Sequence, residues 1–499
     1  MKRYALLFLA LLLSLPTAQA YVTVSSLYSD HMILQRDKAN LLWGWADAGE
    51  TINVNFDGYT RRTKADADGN WSVTLPKMSL GAPKTLTVKG KNTVTVKDIL
   101  MGDVWVCSGQ SNMGWSVSHS HDAVNESAAA NYPEIRYYQV PLTVALKPIK
   151  DANGSWVHTA PETVPNFSAV GYFFGRQLHK DLKVPIGLIG TAWGGTAIES
   201  WISQDATEIS ATFDRLNKDW KPDVAKLGPD LYSWYNVRGK DRIAKPKTKR
   251  GIGGAPNVPS FNYNAMIAPL GQFGIKGAIW YQGESNAGRA YQYRDLQQTM
   301  ITDWRNQFDQ GDFPFFITQL ANFRERNDQP VESEWAELRE AQSMAARDMN
   351  NVGIACIIEK GDAKDIHPRN KQAVGYRLAQ NALNVAYGHK DVMPAGPTYK
   401  SMKIKGNTAI ISFDNVGKGL EARYGVKGFA ICSADKKFVW ADAKIVGKKV
   451  HVSADSVANP IAVRYGWSNN PEVSLNNSDN LPTSPFRTDD FPMLTRDKW

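Results

Sequence analysis

The chain has 499 residues, of which 43% are hydrophobic and 21% charged, with a formal net charge of +9. That length exceeds one ordinary core and predicts two to four domains. The composition is that of a globular protein and excludes a disordered or fibrous one.

The first twenty residues read as an export signal. Lys2 and Arg3 form a charged start, Ala5 to Leu15 an apolar stretch, and Ala18-Gln19-Ala20 a small-residue cleavage site. The apolar stretch is too short to span a membrane, and no later run is long enough. The expectation is an exported protein, periplasmic or extracellular, with a mature start near Tyr21. For an exported protein of this charge distribution, no nucleic-acid partner is expected. Basic residues are spread along the chain apart from Lys245-Pro246-Lys247-Thr248-Lys249-Arg250, which reads as a solvated loop able to meet an acidic glycan.

Residues 21–98 read as an all-β module of sandwich type. Short alternating runs recur at Asn40–Trp43, Thr51–Phe56, Trp71–Leu75, Thr85–Lys89 and Thr93–Val96, with turns such as Ala67-Asp68-Gly69-Asn70 between them. Glycan binding and a purely structural role are both open to it, the structural role being the commoner for such modules.

Over 99–395 strands alternate with helices, the pattern of an α/β fold with a mainly parallel sheet covered on both faces. Five apolar runs supply strands: Val104–Cys107, Ile186–Ile189, Ala278–Tyr281, Phe315–Leu320 and Val352–Ile358. Helical spacing links Tyr293, Leu296, Met300, Trp304 and Phe308, and again Trp335, Leu338, Ala341 and Ala345. A further helix follows Pro368 through Val374, Leu378 and Val385. Residues 203–260 interrupt the alternation with a stretch rich in Lys, Pro and Gly. It either walls a cleft or forms a surface insertion. From 396 to 499 the chain returns to β, with strands at Ala409–Phe413, Gly428–Ser433, Lys444–Val452 and Ile461–Tyr465.

Cys107, Cys356 and Cys432 are widely spaced, and no metal-type Cys or His spacing appears. Cys107 and Cys356 lie in apolar runs and read as buried thiols; one disulfide among the three stays open for an exported protein.

The chemistry gathers at strand ends. The run Asp103–Cys107 leads into Ser108-Gly109-Gln110-Ser111-Asn112-Met113, a step that can raise the Ser111 hydroxyl above the C-terminal edge of a sheet. A serine nucleophile needs a base, and His367 follows the last strand of the set, with Asp365 two residues before it to orient the imidazole. The third requirement is a set of donors for an oxyanion. The glycine-rich Gly190-Thr191-Ala192-Trp193-Gly194-Gly195-Thr196 after one strand lets backbone N–H groups approach a ligand. Gln282-Gly283-Glu284-Ser285-Asn286 ends another. A tight turn or a surface loop explains each motif alone; four strand ends carrying polar groups to one edge is the stronger pattern.

These motifs, in this order, resemble the sialate O-acetylesterase family, a branch of the SGNH hydrolases related to family 6 acetyl xylan esterases. The resemblance extends to Leu27-Tyr28-Ser29-Asp30-His31-Met32-Ile33-Leu34-Gln35 near the start. It extends also to Ala462-Val463-Arg464-Tyr465-Gly466-Trp467 and Ser484-Pro485-Phe486-Arg487-Thr488-Asp489 near the end. It implies an SGNH-type three-layer, doubly wound parallel sheet with an N-terminal β-sandwich and a C-terminal β-rich module. Ser111 is then the nucleophile and His367 the base. The oxyanion hole comprises the N–H groups of Ser111 and Gly195 with Gln282, which unlike an ionised Glu284 can donate. The usual Asp-x-x-His is here Asp-x-His, and the related acetyl xylan esterases give the acid role to the residue matching Glu284. The acid is therefore Asp365, Glu284 or both. The implied activity is removal of O-acetyl groups from sialic acids, with acetylated xylan or another plant glycan as the alternative substrate and a non-catalytic glycan-binding protein as a remote one. No metal or cofactor is implied.

Overall fold

The computed structural model describes residues 21–209, 211–237, 241 and 256–498. The segment 1–20, expected to direct export, and the basic cluster 245–250 lie outside the described residues.

Eight strands open the chain: β1 (Thr23–Val24), β2 (Ile33–Gln35), β3 (Asn40–Trp45), β4 (Thr51–Phe56), β5 (Tyr59–Lys64), β6 (Asn70–Leu75), β7 (Lys84–Lys89) and β8 (Thr93–Gly109). Strand β3 lies between β1 and β6 in one antiparallel sheet, while β4 pairs with β5 and β7. Alternation drives this. Ile52, Val54 and Phe56 of β4 point inward and the Asn and Thr residues between them outward. Strand β5, Tyr-Thr-Arg-Arg-Thr-Lys, has no buried residue, which is why no hydrophobic pattern announced it.

Strand β8 is the pivot. Its first half pairs antiparallel with β7 and its second half lies in the central sheet, so it runs without a break through residues 98 and 99. After it come α1 (Ser111–Gly114), α2 (Ala123–Ala128), β9 (Tyr132–Gln139), β10 (Trp156–Thr159), α3 (Ala169–Leu182) and β11 (Ile186–Gly190). Next are α4 (Gln204–Ile209), α5 (Ala211–Asn236), β12 (Gly277–Tyr281), α6 (Ala290–Phe308) and β13 (Phe315–Thr318). Then follow α7 (Glu334–Asp348), β14 (Val352–Ala355) and α8 (Lys371–Val385). The sheet order is β10-β9-β11-β8-β12-β13-β14. Only β10 runs antiparallel along that path.

Helices cover both faces. Trp105 and Gly277 are register partners, so Trp280, three residues on, points to the opposite side of the sheet. Trp105 packs edge-on against Phe174 of α3, and Trp280 against Trp304 of α6. Helix α3 crosses α8 closely because Gly375 has no side chain: a β-carbon there would come within 2.6 Å of Phe173. One continuous hydrophobic core runs from Val22 through Leu383.

Part of the 203–260 stretch forms the helices α4 and α5. Tyr235 near the end of α5 meets the Trp193 ring at 6.0 Å, so this segment borders the glycine-rich loop. The C-terminal strands enclose a second core around Ile411, Ile431, Val450 and Val463. The run expected as one strand over Lys444–Val452 is two, Asp442–Val446 and Lys449–Ser453, turning at Gly447 with φ +60°. Buried Arg339 of α7 ties this module on, donating to the carbonyls of Ser468 and Asn469. All three cysteines are free and buried, which excludes a disulfide in this structure. Among the described residues no helix is long and apolar enough to cross a membrane.

Candidate active site

Ser111 opens α1 at the C-terminal end of β8, with β11 and β12 on either side. The turn that lifts it depends on Gly109. Its φ of +141° disfavours any side chain, and a β-carbon there would lie 2.1 Å from the Tyr281 carbonyl oxygen. The Gln110 N–H donates to that same oxygen at 3.0 Å, sealing the turn onto β12. The chain leaves β8 toward β9 on one side and leaves the neighbouring β11 toward β12 on the other, and such a switch point is where open α/β sheets bind ligands.

His367 comes from the loop between β14 and α8. Asp362 shapes that loop by accepting the N–H groups of Lys364 (2.7 Å) and Asp365 (3.1 Å). Asp365 Oδ1 then takes the His367 N–H at 2.9 Å and lies 3.2 Å from Nδ1. The opposite ring nitrogen, Nε2, lies 2.9 Å from Ser111 Oγ. Trp115 stacks on the imidazole at 4.7 Å between centroids, so the ring is clamped on one face as well as at both nitrogens.

The glycine-rich loop is drawn against Ser111 by two backbone bonds, Thr191 N–H to the Cys107 carbonyl and Trp193 N–H to the Gly109 carbonyl, each 3.0 Å. Gly194 is the glycine that abuts the serine: a β-carbon on it would sit 3.3 Å from Ser111 Cβ. Gly195 has φ +73° and open space around it. Its carbonyl accepts from Asn257, which also receives the Ala197 N–H and so pins the loop.

Gln282, expected as an oxyanion donor, is engaged otherwise. Fully buried, it donates its amide hydrogens to the Thr196 carbonyl (3.0 Å) and Asn286 Oδ1 (2.7 Å), and accepts from the Tyr293 hydroxyl. It braces the glycine-rich loop against β12 and has no hydrogen left for a ligand. Asn286 extends the brace to Ile198 N–H and to Glu199, which pairs with Arg289.

Glu284, one of the two acids left open for His367, shares no hydrogen bond with it. It accepts instead from Asn112 Nδ2 at 2.6 Å, and the same amide reaches the Ile366 carbonyl at 3.1 Å. Asn112 Oδ1 in turn takes a hydrogen bond from Lys371 Nζ. A buried Glu284–Asn112–Lys371 chain thus holds the backbone just before His367. Asn112 lies within the Gly109–Met113 motif, but its partner Lys371 could not be found from sequence, because a lysine in a first helical turn reads as solvent-exposed.

Burial pushes the Glu284 carboxyl above its usual range. Burial also brings the Lys371 ammonium down to about 7, against the pull of Glu284 and Asp365. In the unfolded chain this lysine keeps its proton to about 10.4. Between those values the unfolded state binds the extra proton, so this group's contribution to stability rises with pH. Lys371→Met should remove that rise. The parent's unfolding free energy minus the variant's should increase above pH 7, with a slope approaching about 1.4 kcal/mol per pH unit. Urea unfolding at several pH values measures it, and a difference independent of pH would contradict the assignment.

A serine hydroxyl, an imidazole and a carboxylate in line, on the C-terminal edge of a parallel sheet beside a glycine-rich loop, are the equipment of an esterase-class hydrolase. The family model described as "Carbohydrate esterase, sialic acid-specific acetylesterase" matches residues 101–227 and 253–384. The chain is 30% identical to the sialate O-acetylesterase of Rattus norvegicus, with 93% of each protein covered. It is 29% identical to that of Homo sapiens, with 93% of this chain and 91% of that one covered. The crystal structure of a carbohydrate acetylesterase from Xanthomonas citri superposes with a TM-score of 0.81 at 39% identity, covering 94% of this chain and 100% of that one. The chain belongs to the sialic acid-specific acetylesterase family of carbohydrate esterases, and it is a hydrolase.

Proposed function

We propose that this chain is an exported serine esterase that removes O-acetyl groups from sialic acids. The observation that carries the reading is His367 Nε2 at 2.9 Å from Ser111 Oγ, with Asp365 Oδ1 at 3.2 Å behind Nδ1. His367 takes the Ser111 proton as Oγ attacks the acetyl carbonyl. The oxyanion is met by the N–H of Ser111, free because the first N–H groups of a helical turn have no partner within it, and by that of Gly195. The sugar hydroxyl leaves with the proton from His367. Water, deprotonated by the same imidazole, then releases acetate from the acetyl-enzyme. Asp365 holds the ring orientation and stabilises the imidazolium.

The strand order β11-β8-β12-β13-β14, with helices on both faces, supports the SGNH-type doubly wound assignment. The motif order supports a division into 21–98, 99–395 and 396–499. Lys2, Arg3, the apolar Ala5 to Leu15 stretch and Ala18-Gln19-Ala20 support export to the periplasm or cell exterior.

The Xanthomonas enzyme, 39% identical against 30% for the rat sialate esterase, is described only as a carbohydrate acetylesterase, so a sugar other than sialic acid is kept as a second substrate reading. Acetylated xylan or another plant glycan is that alternative. Acetate release should be compared on O-acetylated sialic acid and on acetylated xylan. The sialic acid reading expects kcat/KM at least about tenfold higher on the first, and the reverse ranking would replace it with the plant glycan.

A further inference from the structure

Away from Ser111, three side chains from distant parts of the chain meet at one point. His31 Nδ1 lies 2.7 Å from Asp98 Oδ2 and 2.8 Å from His158 Nε2, and His158 Nε2 lies 3.2 Å from the same Asp98 oxygen. The residues come from the β1–β2 connection, from β8 and from β10. Asp98 precedes Ser111 by thirteen residues, toward the other end of β8.

No protonation state satisfies this triangle. A proton on His31 Nδ1 alone leaves His158 Nε2 facing Asp98 lone pair to lone pair. A proton on His158 Nε2 alone does the same to His31 and Asp98. With both nitrogens protonated, two N–H groups oppose each other across 2.8 Å. A cation at the centre would accept all three lone pairs at once. A tetrahedral ion with bonds of about 2.0–2.1 Å sets neighbouring ligand atoms about 3.3 Å apart, so the edges of the triangle need open by about 0.1 to 0.6 Å.

The surroundings fit that use. His158 Nδ1 lies 3.2 Å from the Pro133 carbonyl, to which it donates, leaving its lone pair on Nε2. Metal-bound imidazoles are oriented by such an outer bond. Arg136 donates to Asp98 Oδ1 at 3.0 Å, turning the other oxygen toward the imidazoles. His31 and Asp98 hold left-handed backbone conformations, φ +68° and +56°. Asp98 also falls where the β7–β8 register shifts, and such a bulge re-aims a side chain. All three side chains are partly open to solvent, 42%, 30% and 34% exposed, which gives an ion a way in and leaves a fourth position for water.

We propose that His31, Asp98 and His158 form a binding site for a divalent transition metal, zinc above all, that clamps the N-terminal segment and β8 to the edge strand β10. Two imidazoles and one carboxylate suit zinc and its neighbours, whereas magnesium and calcium prefer all-oxygen sites. The proposal does not depend on the esterase reading. Asp98 lies thirteen residues before Ser111 on β8, His31 and His158 lie in other segments, and the clamp is structural.

Zinc titration of the chelator-treated full chain tests it. One equivalent of Zn²⁺ should bind with micromolar or tighter affinity and raise the melting temperature. His158→Gln and Asp98→Asn should each weaken binding by more than about 100-fold, since loss of an outer partner alone costs 10–100-fold. Should Asp98→Asn fail to fold through loss of its Arg136 contact, the partly exposed His158→Gln still decides the matter. Absence of zinc, cobalt or nickel binding to the parent overturns the proposal, and so does undiminished binding by the folded His158→Gln variant.

Discussion

Ser111→Ala is expected to lower the turnover of a chromogenic acetyl ester by at least about 10⁴-fold while leaving the melting temperature unchanged. The size follows from the role: no other hydroxyl is hydrogen-bonded to His367 Nε2 among the described residues, so no group stands ready to replace the nucleophile. The neutrality toward folding follows from the packing. Only one atom is deleted, its sole side-chain partner among the described residues is His367, and that ring stays held by Asp365 and the stacked Trp115. The residual rate comes from substrate binding and the backbone N–H groups, which survive the substitution. A fluorophosphonate should label the parent and not the variant. A variant that keeps more than a small fraction of parent activity would move the nucleophile elsewhere.

Strands buried on both faces, such as β8, β11 and β12, were legible because parallel central strands read as short apolar runs. Strands β9 and β10 were not. Tyr132–Gln139 carries Pro133, Glu134 and Arg136, and Trp156–Thr159 is four residues long, so neither has a run or an alternation to betray it. The first seven residues of helix α3 are buried, and polar positions at helical spacing begin only at Arg176 and Gln177, with Lys180 and Asp181 four residues on. The site divides the same way. Positions at strand ends follow from the order of motifs: Ser111, His367 and Asp365 meet in a hydrogen-bonded line, and Gly195 lies on the loop drawn against Ser111. Where a side chain points depends on partners from elsewhere. The Gln282 amide is turned by Thr196, Asn286 and Tyr293, and Glu284 is turned by Asn112, so neither reaches the role its local sequence allows. The His31–Asp98–His158 cluster is the extreme case. Its members lie 67 and 127 residues from His31, with no local spacing to recognise.

The two carboxylates should separate sharply on substitution. Asp365→Asn is expected to reduce turnover by about 10²–10⁴-fold, the upper figure being the loss when a triad aspartate becomes an amide. The loss has a definite origin. Asn can turn its NH₂ toward His367 Nδ1, which favours the tautomer with the proton on Nε2, and that tautomer cannot accept from Ser111. The Asp365 side chain is 45% exposed and its oxygen is shared with the His367 N–H, so water can relieve part of the damage, which sets the lower figure. Glu284→Gln should cost no more than about 10²-fold, because Glu284 touches the site only through Asn112 and its effect is one of position. The two losses should also differ in kind. The Asp365 variant should lose kcat across the whole pH range, since its tautomer is wrong at every pH. The Glu284→Gln change keeps the size of the side chain and an amide oxygen for Asn112, while removing the charge opposite Lys371. A Glu284→Gln loss larger than that of Asp365→Asn would reverse the assignment, and equal losses would make the two carboxylates a shared acid acting through Asn112 and the Ile366 carbonyl.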